Sequence, residues 1–406
     1  MASVPTVTLD DIRAARETIG ELIRPTPLEF SRAVSEKVGT DVYLKCENLQ
    51  RAGSFKIRGA YTRLARLSEE EKERGVVAAS AGNHAQGVAL AATTLGIKSK
   101  VYMPVGAAMP KLNATRAYGA EIEQVGATLD EAIVEARAYA EQTGAVFISP
   151  FDHADIVAGQ GTCGLEILEQ CPDVGTVVVS LGGGGLLAGI ATAVKAQRPE
   201  VMVIGVQAEQ AAAYPMSLAA GRPIPAEKMA TMADGIAVGR PGDVPFEIVR
   251  RLVDRVDTVS EASLSRAMLM LLEHSKLVVE PAGAAGVALL NESADRSWNG
   301  PIVVVLSGGN IDPLLMLRVI RHGMVAAGRY LQFRAVMPDR PGSLARLIAD
   351  CAAADANVVE VEHTRHDANL LIDEVDILVQ LETKGPQHCQ DVLTALRSKG
   401  YRLKFT

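Results

Sequence analysis

Thr176-Val177-Val178-Val179-Ser180-Leu181-Gly182-Gly183-Gly184-Gly185-Leu186-Leu187-Ala188-Gly189 is the stretch on which the fold turns. Its β-branched opening reads as a strand buried on both faces. Four glycines follow, and Leu186, Leu187 and Ala188 open a helix. Strand, glycine turn and helix in that order form the unit of a mostly parallel α/β sheet, where ligands bind outside the carboxyl ends of the strands. Four consecutive glycines are costly in conformational entropy. The cost makes sense if bare backbone N–H groups converge on a phosphate, aided by the positive end of the helix dipole. Gly183, Gly185 and Ala188 also match a loose dinucleotide fingerprint, with Glu209 near the place of a ribose-binding acid. That match falls late in the chain rather than in the first strand–helix unit, which weakens it.

On either side the same alternation continues. Val76-Val77 and residues 100–103, 201–206 and 301–306 are short β-branched runs, and residues 130–143 and 263–276 have helical spacing. The α/β pattern holds to about residue 325, with a smaller subdomain at roughly 52–150. A helix end at 321–328 leads into a linker at 326–331. From 332 the period changes. Residues 332–337 read as a strand, 338–342 as a turn, and Ser343 as the cap of a helix with apolar Leu344, Leu347, Ile348 and Cys351. Strands at 357–365 and 374–381, a helix at 387–398 and a strand at 401–405 complete a β-α-β-β-α-β order, the ferredoxin-like arrangement.

Composition sets the class. Hydrophobic residues make up 48% and charged residues 22% of the 406, which excludes a disordered chain. Lys plus Arg number 41 against 48 Asp plus Glu, so the net charge of −7 argues against a nucleic-acid surface. The five cysteines form no CxxC pair and no zinc-spaced Cys/His set, which suits a reducing compartment. No basic-then-apolar leader opens the chain, and no apolar run reaches the roughly 18 residues of a membrane span. The expectation is a cytoplasmic protein with neither membrane nor nucleic-acid partner.

Three further segments carry chemistry. In Gly53-Ser54-Phe55-Lys56-Ile57-Arg58-Gly59 a lysine sits between two apolar residues. An apolar setting lowers an amine's pKa and makes it nucleophilic enough for a Schiff base, although most lysines are solvated surface groups. In Ser80-Ala81-Gly82-Asn83-His84-Ala85-Gln86-Gly87, Ser80 can cap a helix whose free N–H groups attract a carboxylate. A plain capped turn is the bland alternative there, and His84 reads as a structural histidine before a general acid–base one. Glu280-Pro281-Ala282-Gly283 and Leu306-Ser307-Gly308-Gly309-Asn310 are small-residue turns that, taken singly, read as packing.

Together, in this order and spacing, these segments resemble the fold-type II pyridoxal-phosphate enzymes, and among them the threonine/serine dehydratases, over residues 10–325. The resemblance implies pyridoxal 5'-phosphate as cofactor, held by Lys56. Phe55 would pack near its ring, Asn83 would bond its hydroxyl, and the N–H groups of Gly182, Gly183, Gly184, Gly185 and Leu186 would hold its phosphate. Ser307 would face the ring nitrogen. Ser80, Ala81, Gly82, Asn83 and His84 would receive the substrate carboxylate. The implied activity is β-elimination of L-threonine to 2-oxobutanoate and ammonia, and of L-serine to pyruvate and ammonia, in catabolism or in isoleucine formation. A main activity on serine is the alternative, as is a related lyase or racemase. A racemase of this kind has a second serine where Ala81 stands, which argues against racemisation. Gln207 and Ala213 take places where related enzymes carry cation-binding carboxylates, so no metal is expected. A dehydrogenase reading leaves Lys56 unexplained, and a non-enzymatic amino-acid sensor would not need it. A β-replacement synthase carries a different substrate-loop pattern.

The tail, with Asp339-Arg340-Pro341-Gly342-Ser343-Leu344, resembles an ACT domain. Two readings stand open for it. One is an oligomerisation module. The other is an effector site for an aliphatic amino acid at Asp339, Gly342 and Ser343. The implied assembly is a homodimer or homotetramer.

Overall fold

Strands form where the β-branched runs lie. The structure, a computed structural model, describes residues 6–292, 298–365 and 370–404. Contacts divide the chain into two units, Met1–Leu315 and Met316–Thr406. In the first the strands are β1 (Leu28–Phe30), β2 (Val42–Lys45), β3 (Val76–Ala79), β4 (Ser99–Met103), β5 (Glu121–Gln124), β6 (Val146–Phe147), β7 (Thr176–Ser180), β8 (Met202–Ala208), β9 (Arg255–Val259) and β10 (Ile302–Val305). They make a smaller sheet, β5-β4-β3-β6, and a larger one, β1-β2-β10-β7-β8-β9. Every pairing is parallel except β1 with β2. Central strands β7 and β10 are buried along their whole length, as helices on both faces require.

The small sheet is inserted between β2 and β7 of the large one. The chain therefore crosses between sheets twice, once before β3 and once after β6, and the site lies along these crossings. The loops after β3, β7 and β10 leave the carboxyl ends of parallel strands, where α/β folds gather ligands. The expected helix over 263–276 is an α-helix at Glu261–Met270 that widens into a π turn at Leu271–Ser275. Among the described residues no helix is long and apolar enough to cross a membrane.

The second unit runs β11 (Tyr330–Pro338), helix Ser343–Ala353, β12 (Asn357–Thr364), β13 (Glu374–Glu382), helix Pro386–Ser398 and β14 (Arg402–Lys404). Its sheet, β12-β13-β11-β14, is antiparallel. Leu331, Phe333, Ala335 and Met337, two residues apart on β11, turn one face into a core shared with Leu347, Cys351, Val392 and Leu396. Phe405 of the expected last strand lies outside the described residues. Three expectations are corrected. Helix Pro313–Ala326 belongs mostly to this second unit, and β11 begins at Tyr330, inside the expected linker. The cause is local: the Gly328 carbonyl just past the helix accepts from Gly385 N and the Thr383 hydroxyl, which ties the helix end into the tail. Ser343 is the first helical residue and not the cap. Gly342 takes the cap position at φ +86°, in left-handed backbone that glycine adopts freely.

Candidate active site

Four segments meet around one cleft of about 1010 Å³, lined among others by Phe55, Lys56, Ser80–His84, Gly182–Leu186, Glu280 and Ser307. Lys56 is the first residue of helix Lys56–Ala65. The strand-like turn before it is stitched to the loop after β10: Phe55 N donates to the Ser307 carbonyl at 3.1 Å, and Gly309 N to the Gly53 carbonyl at 2.9 Å. These bonds place Ser307 beside the lysine. Lys56 Nζ donates to the Pro150 carbonyl at 2.8 Å and lies 5.1 Å from the centre of the Phe55 ring. Among the described residues no carboxylate forms an ion pair with it. Burial favours its uncharged form and lowers the amine to about 8, although Glu280 pulls the other way.

The glycine loop is shaped from beneath. Phe151 lies under Gly183 and Gly185, and a Cβ on Gly183 would enter its ring. Gly184 has φ +104°, and a Cβ there would collide with the Tyr214 hydroxyl. That hydroxyl donates to the Gly183 carbonyl at 3.2 Å, and Gly242 N donates to the same carbonyl at 3.1 Å. The carbonyl is thereby turned away, and Gly184 starts helix Gly185–Gln197 with no side-chain cap. The first N–H groups of that helix remain available for an anion.

Ser80 behaves differently from the expectation. Its hydroxyl accepts from Gly82 N at 3.1 Å, bracing the turn, while Gly82 occupies the cap position of helix Asn83–Thr94 with no side-chain bond. That helix, too, presents uncapped N–H groups. His84 is buried, with Nε2 2.9 Å from the Ile148 carbonyl. A carbonyl only accepts, so Nε2 carries the proton. Burial first, and then the Lys56 charge, lower its pKa to about 3, which leaves a neutral structural ring.

The structure gives further residues at the site contacts that the sequence did not assign. Glu280, 3% exposed, accepts from Asn83 Nδ2 at 2.7 Å. Burial and the nearby Asp234 raise its carboxyl to about 8. Lys111 pairs with Asp234 at 2.5 Å across the cleft mouth. Behind Lys56, Arg58 is fully buried and bonds both oxygens of Glu47 and of Glu166. Lys45 Nζ also reaches Glu166, at 2.5 Å. Gln207 Oε1 accepts from Tyr214 N at 2.9 Å. Among the described residues no group of three His, Cys, Asp or Glu could hold a metal ion.

A lysine amine near neutrality, a phosphate-sized glycine cradle and a hydroxyl behind them form the complement of one cofactor. Residues 19–308 match the family model described as pyridoxal-phosphate dependent enzyme. The chain belongs to this family. It is 46% identical to the L-threonine ammonia-lyase of Thermotoga maritima over 98% of this chain and 99% of that one. It is 45% identical to the catabolic L-threonine dehydratase of Escherichia coli K12, over 75% of this chain and 94% of that one. A solved structure, the processed form of threonine deaminase isoform 2 from Solanum lycopersicum, superposes with a TM-score of 0.74 at 36% identity, covering 77% of this chain and 92% of that one. The family's cofactor is pyridoxal phosphate, and the residues present fit it: the uncapped N–H groups after Gly184, in a loop packed so closely on Phe151 and Tyr214 that Gly183 and Gly184 have room for no side chain, suit its phosphate, and the weakly basic Lys56 amine suits its aldehyde.

Proposed function

We propose that this chain is an L-threonine ammonia-lyase, which converts L-threonine to 2-oxobutanoate and ammonia and also takes L-serine to pyruvate. The observation that carries the reading is Lys56, an amine held close to neutrality on the wall of a cleft that also contains the glycine cradle. Near-full-length similarity to a threonine ammonia-lyase supports it.

Lys56 would anchor the cofactor, and the backbone N–H groups of Gly182 to Gly185 with Leu186 would hold its phosphate. Phe55 and Asn83 would flank its ring, and Ser307 would face its ring nitrogen. Pyridoxal phosphate, when bound, supplies the electron sink that acidifies the substrate's α-carbon. This chain's residues do the rest. The uncapped helix start behind Ser80, Ala81 and Gly82 receives the substrate carboxylate. The Lys56 amine is a base of near-neutral pKa, suited to take and hold the α-proton. His84, neutral and bonded to Ile148, holds the loop's shape and moves no proton. A hydroxyl at Ser307 would bond the ring nitrogen without delivering the charge that an aspartate would keep there, which would favour prompt loss of the β-hydroxyl. Ala81 offers no proton to the opposite side of the α-carbon, so elimination outruns racemisation.

The test is a 2-oxo acid assay of the purified holoenzyme with L-threonine and L-serine, beside a D-serine assay. Ammonia and 2-oxobutanoate in equal amounts are expected. No 2-oxo acid from either substrate, or D-serine as the main product, overturns the reading. Activity is expected to survive EDTA, because the Gln207 amide stands where a cation would want an anionic oxygen.

For the tail we propose an ACT module that binds an aliphatic amino acid near Asp339, Gly342 and Ser343 of an assembled homodimer or homotetramer in the cytoplasm. Its core and strand order support the module. Isoleucine and valine titrated into the full-length enzyme should give binding heat and shifted kinetics. If neither responds, the tail is structural.

A further inference from the structure

A chain of hydrogen bonds runs from a backbone carbonyl to Glu280 and leaves no freedom along its length. Ala52 adopts φ +58°, a left-handed conformation that a non-glycine residue adopts only at a cost. Its carbonyl accepts from Asn310 Nδ2 at 2.6 Å. A carbonyl only accepts, so that edge of Asn310 is the NH2. The same NH2 donates to Asn83 Oδ1 at 2.8 Å, with Gln86 Oε1 at 3.3 Å beside it. Asn83 therefore has its oxygen toward Asn310 and its NH2 on the other edge. That NH2 meets Glu280 Oε1 at 2.7 Å. The carboxyl is itself confined. Glu280 N donates to the Gly308 carbonyl at 3.0 Å, and the side chain lies across Gly308, where any Cβ would strike it.

We propose that Glu280 is a positioning residue: its carboxyl oxygen, together with Asn310 on the opposite edge, holds the Asn83 amide with one N–H turned to the cleft. Glu280 and Asn83 both line that cleft. An amide nitrogen has two protons, and Glu280 takes one, so the other is the one presented. The groups that face the carboxyl electrostatically are Asp234, Lys111 and Lys56 besides Asn83. Either protonation state of the carboxyl keeps an oxygen that accepts from Asn83, so the hold persists through neutral pH.

The assignment rests on the cofactor reading above, since the presented N–H is the one a cofactor's ring hydroxyl would meet. The test is the visible absorption band of the holoenzyme, read from about pH 6 to pH 9 beside kcat and KM. Glu280→Ala frees the amide to rotate. It should shift the band and lower kcat on the order of 10- to 100-fold, with KM moving less. Glu280→Gln still offers an oxygen to Asn83, and should recover the parent's band and most of the lost kcat. Asn310→Ala removes the other restraint and should shift the band in the same direction as Glu280→Ala, which keeps the test open if one variant folds poorly. A parent-like band in both alanine variants overturns the proposal. So does a glutamine variant as impaired as alanine, because the carboxyl's proton would then matter and not its acceptor. The band is read without substrate. A holoenzyme that shows this pattern but forms no 2-oxo acid sinks the proposed activity and leaves the Glu280 assignment standing.

Discussion

Arg58 and Lys56 stand two residues apart on the first turn of one helix, and the protein treats their charges in opposite ways. Arg58 points into the interior and is met by two carboxylates, Glu47 and Glu166, with Lys45 balancing the second. Its five hydrogen bonds use the whole guanidinium fork, with the Thr162 hydroxyl as the remaining partner at 3.1 Å. Lys45 spends its protons on Glu166, the Thr26 carbonyl and Gln170. Two basic and two acidic side chains are thus buried together as direct ion pairs. Burial alone would raise Glu47, but the Arg58 charge and its bonds outweigh it and hold the carboxyl below its ordinary value. Across the helix, Lys56 and Glu280 form no ion pair among the described residues, and burial moves both toward their uncharged forms. Pairing keeps charges silent and rigid, whereas leaving them unpaired yields groups that exchange protons near neutral pH. The first arrangement is scaffold, and the second leaves the Lys56 amine free for chemistry beside a carboxyl that holds Asn83.

The two sets should fail differently when a member is removed. Lys56→Ala is expected to lower turnover by about 10³-fold or more, because the anchor and the base disappear together. Its folding stability should change little, since no charged partner is orphaned. Multiple-turnover activity near the parent's in that variant would break the comparison on the chemical side. Arg58→Met strands two carboxylates beside a single lysine. It should cost about 3–5 kcal/mol in urea unfolding, the penalty for an uncompensated buried charge. Arg58→Lys keeps the charge but loses the bidentate fork, and should fall between the two. A loss under about 1 kcal/mol for Arg58→Met would show that the quartet is solvated and not a scaffold.

How much of this is readable in the sequence follows the same division. Strand-to-helix alternation, the glycine turn and the apolar setting of Lys56 are local patterns, and each appears where it is expected. The quartet is not local. Glu47 is 11 residues from Arg58 and Glu166 is 108, so only the packed helices reveal that they share a site. Phe151 and Tyr214, which shape the glycine cradle from beneath, carry no sequence signal, because their effect is a volume denied to other side chains. Ser80 and Ser343 look like caps in the sequence and are not, for one reason. A glycine precedes each helix, Gly82 and Gly342, and takes the cap position. Glu280 and Asn310 sit in turns notable for their small residues, but only the hydrogen-bond chain through Asn83 gives them a role.

The smallest effect is the sharpest test of the comparison, because it asks each carboxyl for its own pH window. Glu280 rises from its ordinary 4.5 to about 8 in the folded protein. A folded pKa above the unfolded one means that the native state binds the proton more tightly. Its contribution to stability is full below about pH 4.5 and is lost as the pH climbs through 8. Glu47 has the opposite sign. Its folded pKa lies below the ordinary value, so its contribution is full at neutral pH and falls away only in acid. Between about pH 5 and pH 8 Glu47 should therefore be flat while Glu280 slopes, by at most about 1.4 kcal/mol for each pH unit crossed. The measurement is urea unfolding of the holoenzyme across that range, parent against Glu280→Gln. Subtracting the two curves removes the titrations that both proteins share, that of His84 among them. The parent should lose stability relative to the glutamine variant as the pH rises. Parallel curves would mean that Glu280 is ionised in the folded state, and that the cleft neutralises charge by pairing after all, as the quartet does.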